Sequence, residues 1–163
     1  MVRPSSPGPG QESVWDYPRP PALEKSSRHV RIVFNGEVIA ESRTAAMVKE
    51  TSHPPVYFIP PEDVDERFLR SSGRTSFCEW KGQAIYFDVV VNDKTLKDVA
   101  FSYPSPTLRF EPIRNWISFY AAPMDEVTVN GETVVPQEGG FYSGWITQDV
   151  VGPFKGGPGT WGW

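Results

Sequence analysis

The sequence predicts an all-β domain, and three observations carry that prediction. The first is a repeated turn signal: Asn35-Gly36 and Asn130-Gly131 each interrupt a β-rich run, VRIVFNGEVIAES and EVTVNGETVV. Both residues of an Asn-Gly pair tolerate positive φ, as the tightest hairpin turn requires. The second is strict alternation. In AIYFDVVVNDKTLKDVAFSY, residues 84–103, Ile85, Phe87, Val89 and Val91 alternate with Tyr86, Asp88 and Val90. The chain then turns at Asn92-Asp93-Lys94 and returns, so this stretch predicts a long antiparallel hairpin. The third is punctuation: 17 prolines and 14 glycines in 163 residues leave little room for long helices.

The remaining elements follow in chain order. Residues 1–12 are polar and rich in Pro, Ser and Gly, which predicts a disordered tail. Everything from residue 13 onward is expected to form a single domain. Residues 13–27 read as an extended arm, because Pro18, Pro20 and Pro21 forbid a helix while Trp15, Tyr17 and Leu23 favour docking. Residues 44–50 are expected as a strand, with SHPPVYFI as its returning partner around a proline turn. PPEDVDERFLRSS, 60–72, predicts one short helix: proline stands in the first turn, acidic residues follow, and Val64 and Phe68 share a face. IRNWISFY, 113–120, alternates again and predicts a strand. The Gly/Pro/Trp-rich end, 139–163, reads as an irregular strap. Phe154, Trp161 and Trp163 are too apolar to leave in water, at about 25 cal/mol per Å². Its glycine spacing is not a phosphate loop, because Pro158 and Gly159 stand where lysine and a hydroxyl residue belong.

Composition narrows the function classes. A net charge of −4 argues against a nucleic-acid-binding surface. No stretch approaches the roughly 18 apolar residues of a membrane span. The opening residues lack the apolar run of a signal peptide, so a soluble cytoplasmic protein is expected. Cys78 is the single cysteine, which rules out an internal disulfide and a four-thiolate zinc site. His29 and His53 are the only histidines, and no metal or other cofactor is expected.

Four blocks, PVYFIPPEDV (55–64), CEWKGQAIYF (78–87), FSYPSP (101–106) and ISFYAAPMDEVTVNGE (117–132), resemble in this order the DUF427 family, a bacterial family of unknown function. The flanking ESVWDYPRPPALE and the glycine-rich end resemble extensions of its longer members. The resemblance implies two antiparallel sheets in a tent-like or half-barrel arrangement, similar to the thalidomide-binding domain of cereblon and the Mss4-like proteins. Many of those relatives hold a structural zinc on four cysteines, and this chain lacks that set. The family has also carried a nucleotidyltransferase-like label, for which no residue pattern stands here.

The Trp80-Lys81-Gly82 block is the leading candidate site. Glycine permits a bulge or close backbone approach, and Lys81 entering a strand near aromatics can bind an anion or act as a base or Schiff-base former. The alternative is a lysine that guards a strand edge. Tyr86, Tyr103, Trp116 and Tyr120 alternate with aliphatics and could line a cup, which tent-like relatives use; Tyr57 joins this candidate lining and Arg43 is a candidate anion anchor. Cys78 is a candidate nucleophile with His53 or Lys81 beside it, or an inert buried thiol. Glu50, Glu62, Asp63, Asp88 and Asp125 are candidate acids with no diagnostic spacing. The leading expectation is a small-molecule binding domain, monomeric or homodimeric, with an aromatic-lined pocket and basic anchors. An enzyme acting on a small polar metabolite and a structural or homodimeric interaction protein stand beside it.

Overall fold

Both Asn-Gly turns form as their chemistry dictates. In the computed structural model, which describes residues 2–163, Asn35 and Gly36 take φ of 49° and 80°, and Asn130 and Gly131 take 50° and 80°. All four are left-handed, as a two-residue hairpin turn demands. Fifteen strands result among the described residues. The first eight are β1 Glu12–Ser13, β2 Ala22–Lys25, β3 Val30–Phe34, β4 Glu37–Ser42, β5 Ala46–Lys49, β6 Val56–Phe58, β7 Leu69–Cys78 and β8 Gly82–Val91. There follow β9 Lys94–Ser102, β10 Ile117–Phe119, β11 Glu126–Val129, β12 Glu132–Thr133, β13 Val135–Pro136, β14 Trp145–Ile146 and β15 Val150–Val151.

Two large antiparallel layers organise them. One is the four-stranded sheet β12-β11-β3-β4. The other joins β2-β5-β6 to β10-β9-β8-β7 through reciprocal main-chain bonds between Ile59 and Ile117, at 2.8 and 2.9 Å. The main core lies between these layers, with Val30, Ile32, Ile39 and Val127 meeting Met47, Ile59, Val89, Ile117 and Phe119. Alternation sends the intervening residues to the opposite face of the seven-stranded layer. Ala46, Val48, Phe58, Ala84, Tyr86, Phe101 and Tyr103 there form a second core, closed by Phe110 and Ile113 of a 3-10 stretch, Leu108–Ile113. Phe58 of β6 reaches Phe101 of β9 and Tyr103 just after it at 5.9 and 6.0 Å between ring centroids, across the intervening β10. The layer is therefore curled toward this face.

The hairpin β8-β9 serves both cores. Its register shifts between Phe87 and Val89, where a bulge in β9 puts Asp98 at φ 54°. Asp88 is buried there and accepts bonds from Lys97 Nζ at 2.6 Å and Asp98 N–H at 2.9 Å. The Lys97 bond, with the Asp98 N–H, holds its carboxyl below the usual range. Asp88 thus supports the bulge, which accounts for this candidate acid.

Residues 44–50 and 55–59 pair as expected, β5 against β6. Two elements are shorter than the sequence suggests. Over 60–72 only 3-10 turns form, Pro61–Asp63 and Glu66–Phe68, and Leu69 already begins β7. The reason is competition: Val64 bridges Ala40, and Asp65 N–H donates to Ile39 O at 2.8 Å, so β4 captures the backbone that a helix would need. A helix this short does not repay its own nucleation. In 113–120 the strand is confined to Ile117–Phe119, because Phe110–Ile113 wraps over the second core and Asn115 turns at φ 64°.

Arm and strap dock on each other. Val14, Tyr17 and Val150 form a third small core, with Trp15 and Phe154 against it. Trp15 donates its indole N–H to Pro153 O at 2.8 Å and packs on Trp163 at 5.5 Å. β1 pairs in parallel with β15. Upstream, Ser5 N–H donates to Gly152 O and the Gln11 amide to Gln148 O, each at 2.8 Å. Among the described residues no helix is long and apolar enough to cross a membrane.

The strap is pinned where Gly139 and Gly156 meet. A Cβ on Gly156 would stand 2.2 Å from Glu138 O, and one on Gly139 would stand 2.2 Å from Gly156 O. Gly156→Ala is expected to cost about 2 kcal/mol or more. Hydrogen exchange should show protection lost over 138–143 and 152–163 before the β8-β9 hairpin, and uniform loss would contradict this local role.

Candidate functional site

The curled layer leaves a cavity of about 620 Å³ on its second face. Its floor is the second core: Val48, Val56, Phe101, Tyr103 and Tyr86. Trp80, Cys78 and Ser76 come from the β7-β8 end, and Tyr120 follows β10. The cover is irregular: Arg19 of the arm, and Phe141, Tyr142, Lys155 and Trp163 of the strap. Tyr120 helps to hold that cover, because its hydroxyl donates to Phe141 O at 2.6 Å.

Five of the eight ligand-binding candidates meet in this cavity, Trp80, Lys81, Tyr86, Tyr103 and Tyr120, together with the candidate nucleophile Cys78, its candidate partner His53 and the candidate acid Glu50. Three of the eight do not. Trp116 packs against the second core without lining the cavity. Tyr57 points from the other face of β6 into the main core, stacked on Trp145 at 4.9 Å and accepting a bond from Arg28 at 3.1 Å. One position in a strand decides the face, and Tyr57 is odd where Val56 and Phe58 are even. Arg43 is exposed between β4 and β5, away from the lining.

Lys81 is held by its backbone. Its carbonyl accepts Thr107 N–H at 3.1 Å, and Thr107 Oγ1 donates to Trp80 O at 2.6 Å. Gly82 lets the loop come this close: its φ is 106°, and a Cβ there would meet Ser105 O at 3.3 Å. The side chain is only 8% exposed. Its Nζ lies over the rings of Tyr103 and Phe110, 5.7 and 5.8 Å from their centroids. Among the described residues no side chain or carbonyl bonds to it, and no carboxylate pairs with it. Ring faces attract the cation, and Nζ keeps access to the solvent of the cavity, because among the described residues no buried side-chain nitrogen or oxygen lacks a partner.

The opposite wall is polar. His53 is 5% exposed, and the neighbouring Gln137 fixes its tautomer. Gly144 N–H donates to Gln137 Oε1 at 3.1 Å, so the amide nitrogen faces Lys155 O at 2.8 Å and His53 Nδ1 at 3.2 Å. Nδ1 is therefore the acceptor, and the neutral ring carries its proton on Nε2, 3.6 Å from Glu50 Oε2. Burial, then the charges of Lys155, Arg19 and Lys81, push the His53 pKa down to about 3. Arg19 is already engaged, with Nε on Glu50 at 3.2 Å and one terminal nitrogen on the main-chain oxygens of Thr51 and Trp163, each at 3.0 Å. Lys155 Nζ reaches Trp163 O at 3.4 Å and the Tyr142 ring at 5.6 Å. Burial also raises the Tyr103 and Tyr120 phenols well above their ordinary value, so both stay protonated donors.

Arg19, Lys155, Tyr142 and Trp163 were not legible as site residues, because arm and strap carry no periodicity. Glu50 and His53 stood out only as isolated titratable groups. Among the described residues, no group of three or more His, Cys, Asp or Glu side chains lies close enough to hold a metal ion.

This fold and site define an all-β domain with a roofed aromatic cup and a lysine at its base. A family model described as "Domain of unknown function (DUF427)" matches residues 22–130, and the chain belongs to that family. No curated protein matches the chain. The matched segment contains the cup with Lys81, Tyr86, Tyr103 and Tyr120; Arg19 and the strap lie outside it.

His53 has a consequence for stability. Its folded pKa lies below the unfolded value of about 6.5, so the unfolded chain binds the extra proton and stability falls as pH drops from 6.5 toward 3. At pH 5 the loss is about 2 kcal/mol. Urea unfolding at pH 7.5 and 5.0 should show that increment in the wild type and not in His53→Gln; equal increments would mean that His53 protonates freely in the fold.

Proposed function

We propose that the protein is a small-molecule binding domain whose cup takes a small organic anion. The observation that carries this reading is Lys81: a cation nine-tenths buried, facing a cavity, with no partner from its own chain. Its Nζ is left to the solvent of the cavity, and a bound anion supplies the charge partner that the chain does not. The cavity volume falls within the usual range for small-molecule sites, and its lining mixes aromatic walls with a few polar groups, as such sites do.

The charge balance supports an anion over a cation. Arg19, Lys81 and Lys155 face Glu50 and Glu79, and Glu50 is already paired with Arg19. A nucleophilic enzyme built on Cys78 and His53 has less support. The Nδ1 lone pair of His53 is taken by Gln137, and its Nε2 carries the proton, so it has no free basic nitrogen to offer the thiol.

Lys81→Met keeps the apolar stem and removes the charge. It should leave the fold intact and change unfolding stability by less than about 1 kcal/mol, because Nζ makes no bond to the chain that the substitution would remove. Native mass spectrometry of the untagged wild type should show a retained small acid, absent from Lys81→Met. A loss of more than about 2 kcal/mol would make the lysine a structural element and contradict the reading.

A further inference from the structure

The cup's charges and walls also narrow the kind of anion, on the basis of the binding function proposed above. We infer that the site takes a planar aromatic monocarboxylate, with its carboxylate on Lys81 and its ring against Tyr103 and Phe101.

Charge comes first. Of the three cations that line the cavity, Arg19 pairs with Glu50, and Arg19 and Lys155 both bond the Trp163 oxygen, so Lys81 is the one left without an anionic partner from the described residues. A monoanion answers that one charge, while a dianionic phosphate adds a second negative charge beside Glu50 and Glu79. The donors point the same way. Bidentate capture of phosphate favours a free guanidinium fork. The only arginine in the lining spends Nε and one terminal nitrogen on Glu50, Thr51 and Trp163. Lys81 instead offers a compact charge with three unused donors, which suits a single carboxylate.

The walls select the body of the ligand. Nine of the twenty lining residues are Phe, Tyr or Trp. Most lie on two sides, the sheet floor and the strap cover, with Phe77 and Trp80 at the β7-β8 end. On the floor Phe101 meets Tyr103 edge-on at 5.9 Å and Tyr86 at 5.6 Å, so their rings are braced and present surface to the cavity. Tyr142 on the cover is braced by Phe141 at 5.0 Å and by His53 at 4.7 Å. A flat ring between such surfaces gains offset or edge-to-face contacts that a puckered ring of equal size cannot match. Lys81 connects the two halves of this recognition, because its Nζ already lies over the Tyr103 ring. A carboxylate that reaches Nζ brings its attached ring onto Tyr103.

Four probes separate these elements: naphthoate, naphthamide (no charge), decalin carboxylate (no planar ring) and naphthyl phosphate (second charge). Calorimetric titration of the full chain at pH 7.5 should rank naphthoate first, at least about ten-fold tighter than each of the others. Lys81→Met and Lys81→Gln should both lose that preference while still unfolding cooperatively. Tighter binding of naphthyl phosphate would overturn the monocarboxylate and leave an anion site. Equal binding of decalin carboxylate would overturn the aromatic requirement alone. Equal binding of naphthamide would overturn the anion reading as well. If no probe binds but the purified protein retains a small acid, the aromatic class falls and the binding function stands; if neither occurs, both fall.

Discussion

The seven-stranded layer is apolar on both faces, and among the described residues one other large sheet covers only one of them. Everything distinctive about the molecule follows from that imbalance. β12-β11-β3-β4 buries one face in the main core. The other face curls on itself, takes Phe110 and Ile113 as a partial lid, and still leaves a cavity. Closure falls to segments with no regular structure, the proline-rich arm and the glycine-rich strap. The strap crosses itself where Gly139 and Gly156 have no Cβ, and the arm is fastened to it by Trp15, which packs on Trp163 and bonds to Pro153. A second sheet would have filled this face with side chains; an irregular roof spans it and leaves room beneath.

Polar groups under the roof are arranged unequally. On one wall each is satisfied by a neighbour: Gln137 orients His53, Arg19 answers Glu50, and main-chain oxygens take what remains of Arg19. At the base Lys81 has ring faces and nothing else. Buried polar groups in a fold are normally paired. Lys81 Nζ, left to ring faces and the solvent of the cavity, is the place where the protein's own interactions stop and a ligand's begin. The neutral state of His53 fits this division, since a charged imidazole would compete with Lys81 for the same anion.

Much of this was legible from the chain. Hairpin chemistry at Asn35-Gly36 and Asn130-Gly131 and the alternation over 84–103 are local signals, and local signals are where a sequence speaks most clearly. The same alternation placed Tyr86 and Tyr103 on one face, and Lys81-Gly82 drew notice because glycine after lysine permits a close approach. What stayed hidden was decided by partners distant in sequence. The 60–72 helix gave way because Ile39 and Ala40 claimed the backbone around Val64 and Asp65. Tyr57 fell on the main-core face because β6 pairs in one register and not the next. Arg19 and Lys155 entered the site only through the docking of arm on strap, and Arg43 missed it because the β4-β5 connection lies elsewhere.

The account stands on one claim: the space between the curled sheet and the strap is where a ligand binds. Tryptophan indole N–H signals report on it directly, because Trp80 and Trp163 line the cavity while Trp145 is sealed in the main core, bonded to Phe119 O. A two-dimensional NMR titration of the uniformly nitrogen-labelled protein with naphthoate is the decisive measurement. The account predicts saturable shifts of the Trp80 and Trp163 indole signals with Trp145 unmoved. Shifts confined to exposed Trp161, or spread evenly over all six indoles, would contradict it.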